Sequence, residues 1–128
     1  MKYILKYDEE QGILYFEVFE KFGSDDVVSF IDSVNNDFTL EQRRYLLTKI
    51  SSPHIQILPD REGRQILRKG APTLGFAKIA VCNANPSIRM FGKIIVTAVG
   101  KSRDTRFLET VDEGVAWLKT EKEKESKK

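Results

Sequence analysis

His54 and Cys82 are the only imidazole and the only thiol in the chain. A zinc site built on them needs carboxylates recruited from elsewhere in the sequence. A nucleophilic Cys/His pair needs surroundings that favour the thiolate. Cys82 instead closes the apolar run Phe76-Ala77-Lys78-Ile79-Ala80-Val81-Cys82, which raises a thiol's pKa. Cys82 therefore reads as a small core hydrophobe and His54 as a loop residue after Pro53. Ser51 and Ser52 lack the glycine elbow of a serine hydrolase. Gly70, Gly75, Gly92 and Gly100 are scattered and build no phosphate loop.

Charge and apolar surface remain as possible carriers of function. Arg61, Arg64 and Arg68 fall three and four apart and share one helix face. That face is either simply solvated or a dock for an acidic protein. Aromatic residues are not interleaved there, as single-strand nucleic-acid binders require. The helix opening at Pro86 offers free N–H groups to an anion, with Arg89 one turn in; the plainer reading is a solvated helix start. Met90, Phe91 and Ile94, beside Ile95, widen an apolar stripe beyond what one sheet face needs. Core packing accounts for this, or else a dimer surface or an apolar ligand groove.

The composition bounds these readings. The chain has 128 residues and a net charge of +2, which suits one globular domain and does not argue for nucleic acid. A lone cysteine forms no internal disulfide, so the expected location is the cytoplasm. No segment approaches the roughly 18 apolar residues of a membrane span. Lys and Glu alternate after Leu118. The domain is expected to occupy residues 1–120, with 121–128 a charged, disordered tail.

The elements that must position these residues follow from periodicity. Residues 2–8 and 12–19 alternate like strands around Asp8-Glu9-Glu10-Gln11-Gly12, an antiparallel hairpin. Ser24 is the expected N-cap of a helix whose buried stripe is Val27, Val28, Ile31 and Val34. Thr39-Leu40-Glu41-Gln42 is either a capping box or a connection. Tyr45–Ile50 is an interior strand. A helix from Asp60 carries Ile66 and Leu67 and is expected to close at Gly70, with Pro72 barring continuation. The Phe76–Cys82 strand, the helix from Pro86 to about Gly100, a strand at Arg106-Phe107-Leu108 and a closing helix over 110–119 complete the chain. Thr110 and Glu113 have capping-box spacing, and Trp117 is expected to be buried near Phe107. The fold class is α/β, in the order β-β-α-β-α-β-α-β-α, with a mixed sheet.

This order, ending in Asn85-Pro86-Ser87-Ile88-Arg89-Met90-Phe91-Gly92 and Thr105-Arg106-Phe107-Leu108-Glu109-Thr110-Val111-Asp112-Glu113-Gly114-Val115-Ala116-Trp117-Leu118, resembles the STAS-like domains, named for sulfate transporters and anti-sigma-factor antagonists. It is most similar to their small stand-alone bacterial branch, over about residues 2–120. In signalling members an apolar strand leads to Asp-Ser-Ser-Gly at a helix start, and the first serine there is phosphorylated. The matching stretch here is Leu58-Pro59-Asp60-Arg61-Glu62-Gly63. Pro59 or Asp60 stands at the phosphoacceptor position, so the resemblance implies a domain without that switch. Asp60 then caps the helix, or its charge imitates the phosphorylated state. The implied function is a non-enzymatic regulatory module without cofactor or metal, binding a protein partner or a second copy of itself. The candidate surface is Asp60, Arg61, Arg64, Met90, Phe91 and Ile94. The rival is a small-molecule or lipid-binding domain with an apolar pocket, a fold-level analogy; an enzyme ranks third.

Overall fold

The computed structural model describes residues 3–20, 23–51, 61–83, 85–98 and 100–126; the side chains of Ser87, Ile88, Phe91, Ile94, Ile95 and Ala98 are outside that description. Its elements are β1 (Tyr3–Asp8), β2 (Ile13–Val18), α1 (Ser24–Asp37), β3 (Tyr45–Ile50), α2 (Arg61–Leu74), β4 (Lys78–Cys82), α3 (Pro86–Ala98), β5 (Thr105–Leu108) and α4 (Val111–Ser126), with a 3-10 turn at Ser102–Asp104. The five strands lie side by side in chain order. β1 runs antiparallel to β2, and β2 through β5 are parallel.

Side-chain alternation sends each strand's residues to two different layers. Leu14, Phe16 and Val18 of β2, with Leu46 and Ile50 of β3, pack under Val27, Phe30, Ile31 and Val34 of α1 and Leu74 of α2. Tyr3, Leu5 and Tyr7 of β1 join this layer from the edge. Ile13, Tyr45, Leu47, Ala80 and Cys82 project to the opposite face, where Leu118 of α4 covers them. Gly92 of α3 abuts the ring of Phe107, while Leu108 packs with α4. Three helices therefore cover one face, and α4 alone covers β3, β4 and β5 on the other. Right-handed crossovers between neighbouring parallel strands require this one-sided arrangement.

Several local expectations are corrected. Gly23, not Ser24, is the N-cap of α1, and its N–H donates to Asp26 Oδ2 at 2.8 Å. Phe30 takes the buried place given to Val28, which is 40% exposed. α2 does not close at Gly70. It continues through Pro72 to Leu74, and Gly75, at φ +75°, turns the chain out. Gly70 serves a close approach instead: a Cβ there would meet Ile31 Cδ1 at 2.7 Å. Pro72 gives up one N–H bond to the preceding turn, and the helix ends two residues later, at Leu74. Thr39 and Gln42 make the reciprocal bonds of a capping box, Thr39 N–H to Gln42 Oε1 at 2.9 Å and Gln42 N–H to Thr39 Oγ1 at 3.2 Å. They close a turn rather than a helix. β4 starts at Lys78, two residues later than expected. Residues 121–126 continue α4 as helix. An Arg44–Glu125 ion pair joins this end of α4 to the start of β3. At its other end, Thr110 Oγ1 accepts the Glu113 N–H at 3.1 Å.

Candidate binding surface at the carboxyl ends of the strands

Every parallel strand of this sheet ends at the same edge, so the residues just after β3, β4 and β5 meet there. The loops that leave this edge are where an α/β scaffold presents its binding residues, although the order β1-β2-β3-β4-β5 contains no reversal to open a crevice. Asn83, after β4, adopts a left-handed backbone (φ 64°), and its Nδ2 donates to the Ile50 carbonyl at 2.6 Å. The end of β4 is thereby tied to the end of β3. The chain then turns into α3, whose first two turns carry Arg89, Met90 and Lys93. These residues, with Asn83, Pro86 and Glu109, line a cleft of about 680 Å³. Met90 is 68% exposed. Two cations, one carboxylate and one thioether thus face a shared space.

The candidate residues from sequence distribute unevenly. Arg61 and Arg64 are exposed on the first turns of α2, which start at the same carboxyl edge. Met90 lines the cleft. Phe91 and Ile94 lie on α3, with side chains outside the described residues. Asp60, and with it the question of its capping role, also lies outside them, as do Ser52, Pro53 and His54.

Sequence reasoning missed a polar cluster on the α4 side of the same edge. The Tyr15 hydroxyl donates to Glu17 Oε1 at 2.7 Å, and the Ser51 hydroxyl donates to Glu17 Oε2. Lys49 Nζ stands 3.8 Å from Glu17 Oε2, and Lys6 Nζ lies 5.3 Å from the centre of the Tyr15 ring. Burial opposes charge on Glu17, but the bonds from Ser51 and Tyr15 and the charges of Lys49 and Lys6 outweigh it and lower the pKa. Tyr15 is pushed up by burial, then by its bond to Glu17 and that residue's charge. The signal was the alternation Tyr15-Phe16-Glu17, which places a carboxylate on a face otherwise reserved for α4. Pairing with Ser51 could not be read from local sequence.

Cys82 is fully buried. Burial and the nearby Glu113 charge push its thiol up to about 11, against a Gly114 N–H that favours the thiolate. It is the small core hydrophobe expected. Trp117 corrects another expectation. It packs beside Leu108 and Val115 in the α4 layer, half-buried, with the Arg106 guanidinium 5.5 Å from its ring centre. Phe107 points to α3, because adjacent strand residues alternate. Among the described residues no three His, Cys, Asp or Glu side chains converge as a metal site, and no helix is long and apolar enough to cross a membrane.

Comparison with protein-family models gives no match, and no curated protein matches the chain. The chain is an α/β protein with a five-stranded mixed sheet, and its functional reading rests on the geometry of this edge.

Proposed function

We propose that the chain is a STAS-like, non-enzymatic regulatory module of the bacterial cytoplasm that binds an acidic segment of a partner protein. The observation that carries this reading is the cleft at the start of α3. Arg89 and Lys93 flank the exposed Met90, and among the described residues Glu109 is the only acid in the lining. A peptide with carboxylates spaced around one apolar side chain matches that lining. Arg61 and Arg64, on the same edge, extend the positive field toward α2.

The polar cluster supports the non-enzymatic side of the reading. A general base near neutral pH needs a raised carboxylate pKa, and a general acid needs a lowered phenol. Glu17 and Tyr15 are shifted the opposite way. They hold each other and Ser51 in place rather than standing ready to exchange protons.

Amide chemical-shift mapping tests the proposal. An acidic peptide containing leucine should shift Asn83, Arg89, Met90, Lys93 and Glu109, and added salt should weaken the effect. Arg89→Glu combined with Lys93→Glu should abolish it. Saturable binding of a monomeric fatty acid or lysophospholipid, with no response to the peptide, would support the rival lipid-binding reading instead.

A further inference from the structure

We infer that β1 is a self-pairing edge through which two copies of this chain join their sheets into one continuous ten-stranded sheet. β1 pairs with β2 alone among the described strands. Its six residues keep an unbroken register from Tyr3 opposite Val18 to Asp8 opposite Ile13, with no bulge, proline or glycine. Proteins usually protect such an edge with a charge, a proline or a bulge. The one lysine within β1, Lys6, leans inward over Tyr15 of β2 and so leaves the outer edge unguarded. The opposite edge, β5, is only four residues long.

The occupant follows from symmetry. Two copies pairing antiparallel around a two-fold axis perpendicular to the sheet must keep like faces together. Only registers that pair odd with odd and even with even positions are then allowed. Centring on Ile4 pairs only Tyr3, Ile4 and Leu5 of each β1. Centring on Lys6 sets the two Lys6 residues against each other. Like charges directly opposite are destabilising. Centring on Leu5 pairs Tyr3 through Tyr7 and opposes no like charges: Leu5 meets Leu5, Tyr3 meets Tyr7, and Ile4 meets Lys6. On the helix-covered face this extends the row of Tyr3, Leu5 and Tyr7, which are only partly buried within one copy. The match of aromatic and aliphatic pairs in this register, with no like charges opposed, favours a second copy over an unrelated strand.

The test combines sedimentation with cross-linking. The wild-type protein should sediment as a concentration-dependent dimer at tens of micromolar. Leu5→Cys keeps a small apolar side chain and places two thiols directly opposite across the axis, at a spacing a disulfide spans. Mild oxidation should give a covalent dimer, and Cys82, being buried, should not compete. Met90→Cys should give none. Ile4→Lys sets two symmetry-related lysine pairs face to face and should weaken association roughly tenfold. The exchange Ile4→Lys with Lys6→Ile restores an apolar partner for each lysine and should recover it, with circular dichroism confirming that each variant is folded. A wild type that stays monomeric at all concentrations overturns the proposal. So does cross-linking through Met90→Cys without Leu5→Cys, and so does a dimer that Ile4→Lys leaves intact.

Discussion

Gly114 of α4 rests against the sulfur of Cys82: a Cβ at position 114 would stand 2.5 Å from Sγ and 3.2 Å from Leu47 Cδ1. This contact sets how closely α4 approaches β4. In an exposed helix interior, glycine to alanine gains about 1 kcal/mol. Here Gly114→Ala should instead cost roughly 1–3 kcal/mol, the range for overpacking a filled core. Urea denaturation measures it. Cys82→Ala removes the sulfur, so the pair Cys82→Ala with Gly114→Ala should be less destabilised than the sum of the single changes. Additive losses would mean that the helix moves away from the strand freely.

The Cys82 thiol titrates at about 11 in the folded chain against an ordinary 9.0. The folded state holds this proton more tightly than the unfolded state does. Its contribution is fully present below pH 9.0 and is lost as pH rises from there toward about 11. Tyr15, also raised, adds to the alkaline loss. Native protein should resist iodoacetamide at mildly alkaline pH and react once unfolded in urea. Rapid labelling of the native state would place the sulfur in contact with solvent.

Glu17 works in the other direction. Its folded pKa lies below the ordinary 4.5, so its contribution is present above 4.5 and fades as pH falls through the folded value. Glu17→Gln removes the titration. The stability gap between wild type and Glu17→Gln, followed by urea midpoints from neutral pH to below 4.5, should narrow with acid. A constant gap would show that the loss comes from packing and not from charge.

Trp117 is half-buried, so Trp117→Ala should cost about 2 kcal/mol, below the 3–5 kcal/mol of a fully enclosed tryptophan. Arg106→Ala should cost under about 1 kcal/mol, the worth of an exposed cation over a ring. Indole fluorescence should shift only modestly to the red on unfolding. A large shift would report a more enclosed ring.

The element order was legible because each helix and strand carries its own periodicity and stop signals. The capping threonine at Thr110, the interior character of Tyr45–Ile50 and the burial of Cys82 are all local properties. The misreadings share one cause, tertiary contact. Gly70 looks like a helix end in isolation but is required where α2 crosses Ile31. Trp117 and Phe107 are close in sequence, yet strand alternation sends them to opposite layers. Lys–Glu alternation after Leu118 carries no apolar stripe of its own, yet α4 runs on to Ser126 and pairs Glu125 with Arg44. The Glu17 cluster joins residues more than thirty positions apart, beyond the reach of any local pattern. Met90 was legible as surplus apolar surface, while the cleft that gives it neighbours needed the end of β5.

The sheet order repeats the chain order, and this has a consequence for how the protein is made. Each strand arriving from the ribosome has its sheet neighbour already synthesised, so the sheet can grow one strand at a time, each parallel addition closing a crossover that holds a whole helix. The cover for one face comes last. Until α4 is synthesised, Leu47, Ala80 and Cys82 face water on an otherwise assembled sheet. The nascent chain is therefore most prone to aggregation, and most in need of a chaperone, in the interval between completion of β5 and arrival of Leu118.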